Sequence, residues 1–277
     1  MTQGFYEILS NVTIAKDIYE MVLGGDTSAI TAPGQFINIK VEGFYLRRPI
    51  SICDWDEKTI TILFKTVGEG TQRLSEMKVG EKLDILVGLG NGFDVNACGE
   101  NPLLVGGGIG TPPMYGLCKR LLKMGKKPAV ILGFASECDV VYEEKFRELG
   151  VETRIATVDG SRGVKGFVTH AMDGLGYDYF YACGPIPMLR ALCDATATSG
   201  EVSFEERMGC GFGACMGCSC ETLAAVILGG KSPTKIALVA VALELLSVAL
   251  VGFSEIKMLV YGAALILCFR RRSHAKA

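Results

Sequence analysis

Histidine is nearly absent from this chain: His170 and His274 are the only two in 277 residues. A zinc site favours paired Cys-x2-Cys units backed by a second pair or by histidines roughly a dozen residues away. Neither histidine is so placed, which argues against zinc. Net charge is missing too, because a formal −2 gives no electrostatic attraction for nucleic acid. Met1–Ser10 lacks the cationic start and apolar run of a secretory leader. A cytoplasmic, reducing location is therefore expected, and the eleven cysteines read as thiols and metal ligands rather than as disulfides.

Cysteine and glycine are what the chain has instead. Cys210, Cys215 and Cys218 sit in Met208-Gly209-Cys210-Gly211-Phe212-Gly213-Ala214-Cys215-Met216-Gly217-Cys218-Ser219-Cys220, a C-x4-C-x2-C run with the plant-type [2Fe–2S] spacing. The glycines let the backbone curl close to inorganic sulfide. Such a cluster wants a fourth thiolate further along, and after Cys220 only Cys268 remains, inside an apolar tail. The expected ligand set is thus incomplete.

The length suits two ordinary cores. Up to about residue 98 the chain is strand-like, with segments such as Gln35–Lys40 and Thr59–Phe64 punctuated by Pro33-Gly34, Gly43 and Gly68-Glu69-Gly70. Many short strands of this kind predict a small antiparallel barrel. From Asn101 the texture alternates: strand Leu103–Val105, a Gly-rich turn, helix Met114–Lys123, strand Ala129–Phe134, helix Glu143–Leu149, strand Thr153–Thr157, helix Val168–Met172 and strand Tyr179–Ala182. That alternation predicts a parallel sheet with crossover helices. The expected organisation is a β barrel over 1–98, an α/β domain over 99–204, a cysteine loop over 205–220 and an apolar tail over 221–277.

Three short motifs carry chemistry. The turn Gly106-Gly107-Gly108-Ile109-Gly110-Thr111 lies between a strand and a helix, where free N–H groups and the helix dipole can hold a pyrophosphate; a tight structural turn is the plain alternative. Cys183-Gly184-Pro185 follows the last strand, at the carboxyl edge where open α/β sheets bind ligands, although it is also an ordinary strand-to-helix turn. Arg47-Arg48-Pro49-Ile50-Ser51 sets a guanidinium, a rigid ring and a hydroxyl along one extended segment. Arginine can grip a pyrophosphate by two N–H bonds and serine can reach a flavin ring atom; a surface arginine pair is the alternative.

Taken in order, Leu46–Ile52, Gly68–Thr71, Gly88–Phe93, the Gly106–Gly110 turn, Cys183–Pro185 and Glu205–Gly211 resemble the ferredoxin–NADP reductase superfamily and, within it, the electron-transfer subunits of dihydroorotate dehydrogenase B. The resemblance covers roughly residues 5–220. It implies that Arg48, Pro49, Ile50 and Ser51 bind FAD, that Leu63, Phe64 and Lys65 line it, and that Gly70 and Thr71 cap its phosphates. It implies NAD on Gly106, Gly107, Gly108, Gly110, Thr111, Cys183, Gly184 and Pro185, and iron on Cys210, Cys215 and Cys218, with Cys220 an extra thiol. The implied partner is a catalytic, FMN-containing dihydroorotate dehydrogenase subunit in a heterotetramer of pyrimidine biosynthesis. No catalytic acid or base is expected, since a relay of carriers needs none. Two rival readings are the small subunit of an electron-bifurcating ferredoxin:NADP oxidoreductase and a non-catalytic, membrane-tethered remnant that binds flavin. The first rival usually begins its cluster loop with an acidic ligand, where this chain has Cys210.

The likeness stops after Cys220, where the family continues with a hairpin carrying the fourth thiolate. Ile236–Phe253 is almost wholly apolar, with Glu244 its one charge, and Met258–Phe269 is a second apolar run before Arg270-Arg271-Arg272. The first run approaches the roughly 20 residues that a bilayer requires, so membrane contact through 236–269 is one expectation. A fusion to an unrelated segment and a soluble helix over exposed core are the others.

Overall fold

Alternating isoleucines build the first half of the molecule. The computed structural model describes residues 1–204; the cysteine loop with Cys210, Cys215 and Cys218 and the apolar tail lie outside the described residues. Six antiparallel strands, β1 (Thr2–Ala15), β2 (Ile18–Gly24), β3 (Phe36–Lys40), β4 (Arg48–Trp55), β5 (Thr59–Lys65) and β6 (Lys82–Leu89), close into a barrel in the order β1-β2-β5-β4-β3-β6. Every second residue points inward: Ile37 and Ile39, Ile50 and Ile52, Ile60 and Ile62 form the buried interior with Phe64 and Ile85. β-Branched side chains suit the pleat, and each such burial stabilises by about 1.5–3 kcal/mol. Gly68-Glu69-Gly70, expected to separate strands, opens a helix, α1 (Glu69–Ser75), whose Leu74 is fully buried against the barrel interior.

The second half is a parallel sheet. Strands β7 (Pro102–Gly107), β8 (Ala129–Phe134), β9 (Glu152–Thr157), β10 (Val164–Lys165), β11 (Tyr179–Cys183) and β12 (Gly200–Ser203) lie in the order β10-β9-β8-β7-β11-β12. β7 is buried at every position, as a central parallel strand covered on both faces must be. Its Leu104 enters one core while Leu103 and Val105 enter the other. Strand order reverses at β7/β11, so the crevice for a ligand opens above their carboxyl ends.

Helix α2 (Thr111–Lys123) starts three residues before the expected Met114 because Pro112 and Pro113 occupy its first turn, where a missing N–H is harmless. Helix α3 is Glu143–Glu148 and α4 is Ile186–Ala195. The helix expected at Val168–Met172 is a single 3-10 turn over Val168–Ala171. Strands β10 and β12 were not foreseen: one is two residues long and the other follows the polar stretch Thr196–Ser199.

Barrel and sheet share one apolar core, in which Ile18, Cys53 and Leu63 pack with Met114, Leu117 and Leu121 of α2. The approach of α2 to β4 is close, since a Cβ at Gly116 would lie 2.6 Å from the carbonyl oxygen of Cys53. Polar contacts rim this seam. Lys145 pairs with Glu20 at 2.6 Å, Lys65 pairs with Asp139 at 3.2 Å, and Lys119 pairs with Asp54.

Candidate functional site

The β4–β5 ladder splits halfway. Its register pairs are Ile52 with Ile62, Asp54 with Thr61 and Trp55 with Ile60. Continued, it would join Ser51 to Leu63, Ile50 to Phe64 and Pro49 to Lys65, and no such pairs form. Arg48–Ser51 keep their partners on β3 and Leu63–Lys65 keep theirs on β2. The two strands therefore diverge and leave alternate N–H and C=O groups facing a slot without ladder partners. Unpaired backbone of this kind needs water or a ligand. Pro49 has no N–H to leave unmet.

Leu63 and Phe64 have only 2% of their surface exposed. Leu63 is packed into the shared core, and Phe64 is in the barrel interior, stacked on Tyr19 at 5.6 Å. From this stretch, the backbone and the Lys65 side chain are what the slot can meet. Ile50 likewise points inward, whereas Ser51 is half-buried on the outer face.

At the start of β4, Arg48 and the α1 entrance form one small cavity of about 270 Å³ lined by Phe44, Arg48, Val67, Glu69, Gly70 and Thr71. Arg48 stacks on the Phe44 ring at 5.1 Å and donates to the carbonyl of Leu46. Gly70 leaves room for the Arg48 guanidinium: a Cβ there would lie 2.1 Å from its Nε. The Thr71 hydroxyl accepts from the N–H groups of Val67 (3.0 Å) and Gly68 (3.2 Å) and donates to Gly68 O (2.9 Å), which fixes the loop.

In the sheet, the 3-10 turn Gly108–Gly110 lies against β5 and so adjoins the slot. A Cβ at Gly110 would stand 2.2 Å from the carbonyl oxygen of Cys183. The glycine turn and Cys183-Gly184 are consequently in backbone contact, and a larger residue at Gly110 would drive them apart. Gly108 has φ +53° and open space where a Cβ would point, which leaves its backbone approachable. The Thr111 side chain is fully buried and its hydroxyl has no partner.

A cavity of about 420 Å³ opens over these carboxyl ends. Gly107, Gly108 and Pro185 form one end, Phe134, Val158 and Phe167 the other. Phe167 is 61% exposed, and its N–H donates to Nδ1 of His170 at 2.9 Å. This wall was not found in the sequence; the only available signal was an aromatic next to glycine in Lys165-Gly166-Phe167.

The titrating groups near the seam are structural. Burial pushes the Cys118 thiol up to about 12 and raises Cys53 further. Tyr142 is raised by burial first and then by the neighbouring Cys53 and Glu20; its hydroxyl donates to the Glu20 carboxylate.

The sequence matches the family described as Oxidoreductase NAD-binding domain over residues 104–194. It is 50% identical over 224 residues to the dihydroorotate dehydrogenase B (NAD(+)) electron transfer subunit of Bacillus mycoides (strain KBAB4), covering 77% of this chain and 86% of that one. With the Fusobacterium nucleatum subunit of the same name identity is 45% over 225 residues, covering 76% and 86%. A solved structure reported for flavin-based electron bifurcation by NADH-dependent reduced ferredoxin-NADP oxidoreductase superposes with TM-score 0.69 at 30% identity, covering 78% of this chain and 81% of that chain. Phthalate dioxygenase reductase shares the fold at TM-score 0.60 and 19% identity. With about half of the residues identical over most of both sequences, a closed barrel joined to a parallel sheet, and a glycine turn at its switch point, this chain belongs to the dihydroorotate dehydrogenase B electron transfer subunit family.

Proposed function

We propose that this chain carries electrons from a dihydroorotate-oxidising partner subunit to NAD, with FAD in the β4–β5 slot and a [2Fe–2S] cluster on the cysteine loop. The observation that carries the reading is the split ladder beside the Gly108–Gly110 turn, which gives two adjoining open sites at one seam. FAD, when bound, supplies exchange between the hydride of a nicotinamide and the single electrons of a cluster.

The residues divide the work of holding these groups. Arg48, beside an open cavity, grips a diphosphate by charge-assisted N–H bonds, and the loop fixed by Thr71 and Gly70 closes over it. Ser51 and the unpaired groups of Pro49–Ser51 and Leu63–Lys65 meet the polar edge of the flavin ring. Gly107 and Gly108, which line the cavity, let a pyrophosphate approach their amides before the start of α2, whereas Gly106 lets β7 pack on Thr111, where a Cβ would lie 2.9 Å from its Cα. Gly110, Cys183, Gly184 and Pro185 shape the nicotinamide end, where the orphaned Thr111 hydroxyl supplies a hydrogen bond. Cys210, Cys215 and Cys218 provide three of the four thiolates that a cluster wants.

The partner in this reading is an FMN-containing catalytic subunit, two copies of each chain forming a heterotetramer in the cytoplasm. Among the described residues no helix is long and apolar enough to cross a membrane; contact through 236–269 would be a property of the apolar runs outside them. The bifurcating-enzyme reading has less support, with 30% identity against 50%.

An absorbance and EPR spectrum of anaerobically purified full-length chain tests the proposal. Flavin bands with a rhombic signal on reduction are expected. Colourless protein that refuses added FAD overturns the reading, and flavin without any cluster signal favours the non-catalytic remnant.

A further inference from the structure

We propose that Glu20 is a positioning residue for exchange between nicotinamide and flavin: from barrel strand β2 it holds Tyr142 and Lys145 at the entrance of α3, and so sets how far the Gly108–Gly110 turn stands from the flavin slot. The inference rests on the reading that the two rings meet at this seam; it adds the residues that fix their separation.

Tyr142 is where the seam shows strain. Its φ of +65° puts a bulky aromatic in the left-handed region, where the β-carbon is crowded. Among the described residues Asp17 is the one other non-glycine there, and it sits in the turn between β1 and β2, where a left-handed Asp is ordinary. Tyr142 instead begins a helix and is buried. Strain of this kind persists only where the surroundings over-determine it.

Those surroundings come from both halves of the molecule. The Tyr142 hydroxyl donates to Oε2 of Glu20, and Lys145 Nζ donates to the same oxygen at 2.6 Å. Lys145 also donates to the Tyr142 hydroxyl at 3.2 Å and stands 4.3 Å from the centre of its ring. From the sheet side, the Tyr115 ring of α2 meets Tyr142 edge-on at 5.0 Å. The Glu20 side chain is only 17% exposed, so water does little to replace either partner.

Three neighbouring barrel strands are gripped in this way. Helix α2 presses on β4 through Gly116, Asp139 takes Lys65 of β5 at 3.2 Å, and Tyr142 with Lys145 takes Glu20 of β2. A helix resting on one strand can roll about its own axis, and an attachment to β2, two strands away, stops the roll. Between them lies β5, whose bare edge forms the slot and against which the Gly108–Gly110 turn lies. Hydride transfer needs reacting atoms about 3–3.5 Å apart, and a misplacement of about 1 Å costs on the order of a hundredfold. A loosened seam therefore slows transfer before it weakens binding.

Anaerobic stopped-flow of the FAD-loaded full chain with NADH, which gives up a hydride and leaves as NAD⁺ while FAD is reduced, separates positioning from binding. Glu20→Ala should lower the limiting rate constant about tenfold to a hundredfold, with dissociation constants for FAD and ADP-ribose unchanged within about twofold. Without turnover, the long-wavelength charge-transfer absorbance of oxidised flavin with tetrahydro-NADH, an unreactive analogue, should weaken in the same variant. Tyr142→Phe keeps the ring in the core and removes only the hydroxyl; it should show the same pattern to a smaller degree, and it decides the matter if Glu20→Ala does not fold. Glu20→Gln keeps an acceptor for that hydroxyl and should recover most of the rate. Wild-type rate and absorbance in Glu20→Ala and Tyr142→Phe overturn the role of Glu20, as does a loss that follows weakened FAD or ADP-ribose binding. A wild type showing neither flavin reduction nor the charge-transfer band refutes the meeting of the two rings at this seam, and the inference falls with it.

Discussion

Replacing Gly70 by Ala should release FAD while leaving the fold intact. The added Cβ would stand 2.1 Å from Nε, 2.3 Å from Nη2 and 2.5 Å from Cζ of Arg48. All three atoms belong to the far end of a flexible side chain, so the guanidinium moves and the backbone does not. Gly70 is the second residue of α1, where alanine is favoured over glycine by at most about 1 kcal/mol, the helix-interior value. That gain offsets the lost stacking of Arg48 on Phe44, which at an exposed site is worth about 0.5–1 kcal/mol. The thermal midpoint should therefore stay near that of the wild type. A charge-assisted hydrogen bond to phosphate contributes about 1.5–3 kcal/mol, so moving the guanidinium should weaken FAD binding roughly tenfold to a hundredfold. Fluorescence titration of apoprotein with FAD measures this, alongside Arg48→Ala and the double variant. Because both single changes remove the same contact, the double should bind no more weakly than Arg48→Ala. Wild-type affinity in Gly70→Ala, or additive losses in the double, would refute the assignment of Arg48 to the diphosphate.

Three other outcomes are expected. Gly116→Ala places a methyl 2.6 Å from the Cys53 carbonyl and must shift α2 from β4; stopped-flow flavin reduction by NADH should slow while FAD titration stays unchanged, and an unaltered rate would count against the seam as the meeting place. In native protein at pH 8, iodoacetamide should label Cys138 and Cys193, which are exposed, and spare Cys118, whose thiol burial pushes up to about 12; peptide mapping that finds Cys118 alkylated before unfolding contradicts the packed core. The Asp56 carboxyl is held low by the N–H of Lys58 and then by the hydroxyl and N–H of Thr59. Its stabilisation is thus full above about pH 3.9, the unfolded value, and disappears as pH falls through the lower folded value. Asp56→Asn should melt below the wild type at pH 7 and alongside it well below pH 3, and a constant difference across that range would refute the linkage.

What could be read from the sequence was whatever local chemistry determines. Ile37 and Ile39, or Ile60 and Ile62, alternate with polar neighbours at period two, and the pattern alone implies a barrel face. The Ala129–Phe134 strand is observed with the expected bounds because an apolar run flanked by lysines and Ser136 has few other uses. The departures have long-range causes. Val168–Met172 has helical spacing, yet Val168 is drawn against Gly133 of β8, where a Cβ would lie 2.5 Å from its Cγ1, and only one 3-10 turn fits. Strand β12 exists because Gly200–Ser203 pairs with Phe180–Cys183, and nothing in its own composition announces that partner.

The site divides along the same line. Glycines, prolines and Arg48 stand out because each is a residue type whose backbone or charge property is needed where it occurs. Phe167 does not, because an exposed aromatic means nothing until β9, the 3-10 turn and α4 bring Val158, Phe167 and Pro187 to one cavity. The split of the β4–β5 ladder is more telling still. Thr59–Lys65 reads as an unbroken strand, and it is one, since all seven residues pair with β2. The opening is created on its other edge, where β4 runs up from Arg48-Pro49 and Pro49 can donate nothing to a ladder. A sequence reports which residues favour a strand, but which of its two edges will be left bare depends on the neighbour. The flavin site proposed above uses the bare edge, so its place would follow from topology while its residue types follow from chemistry.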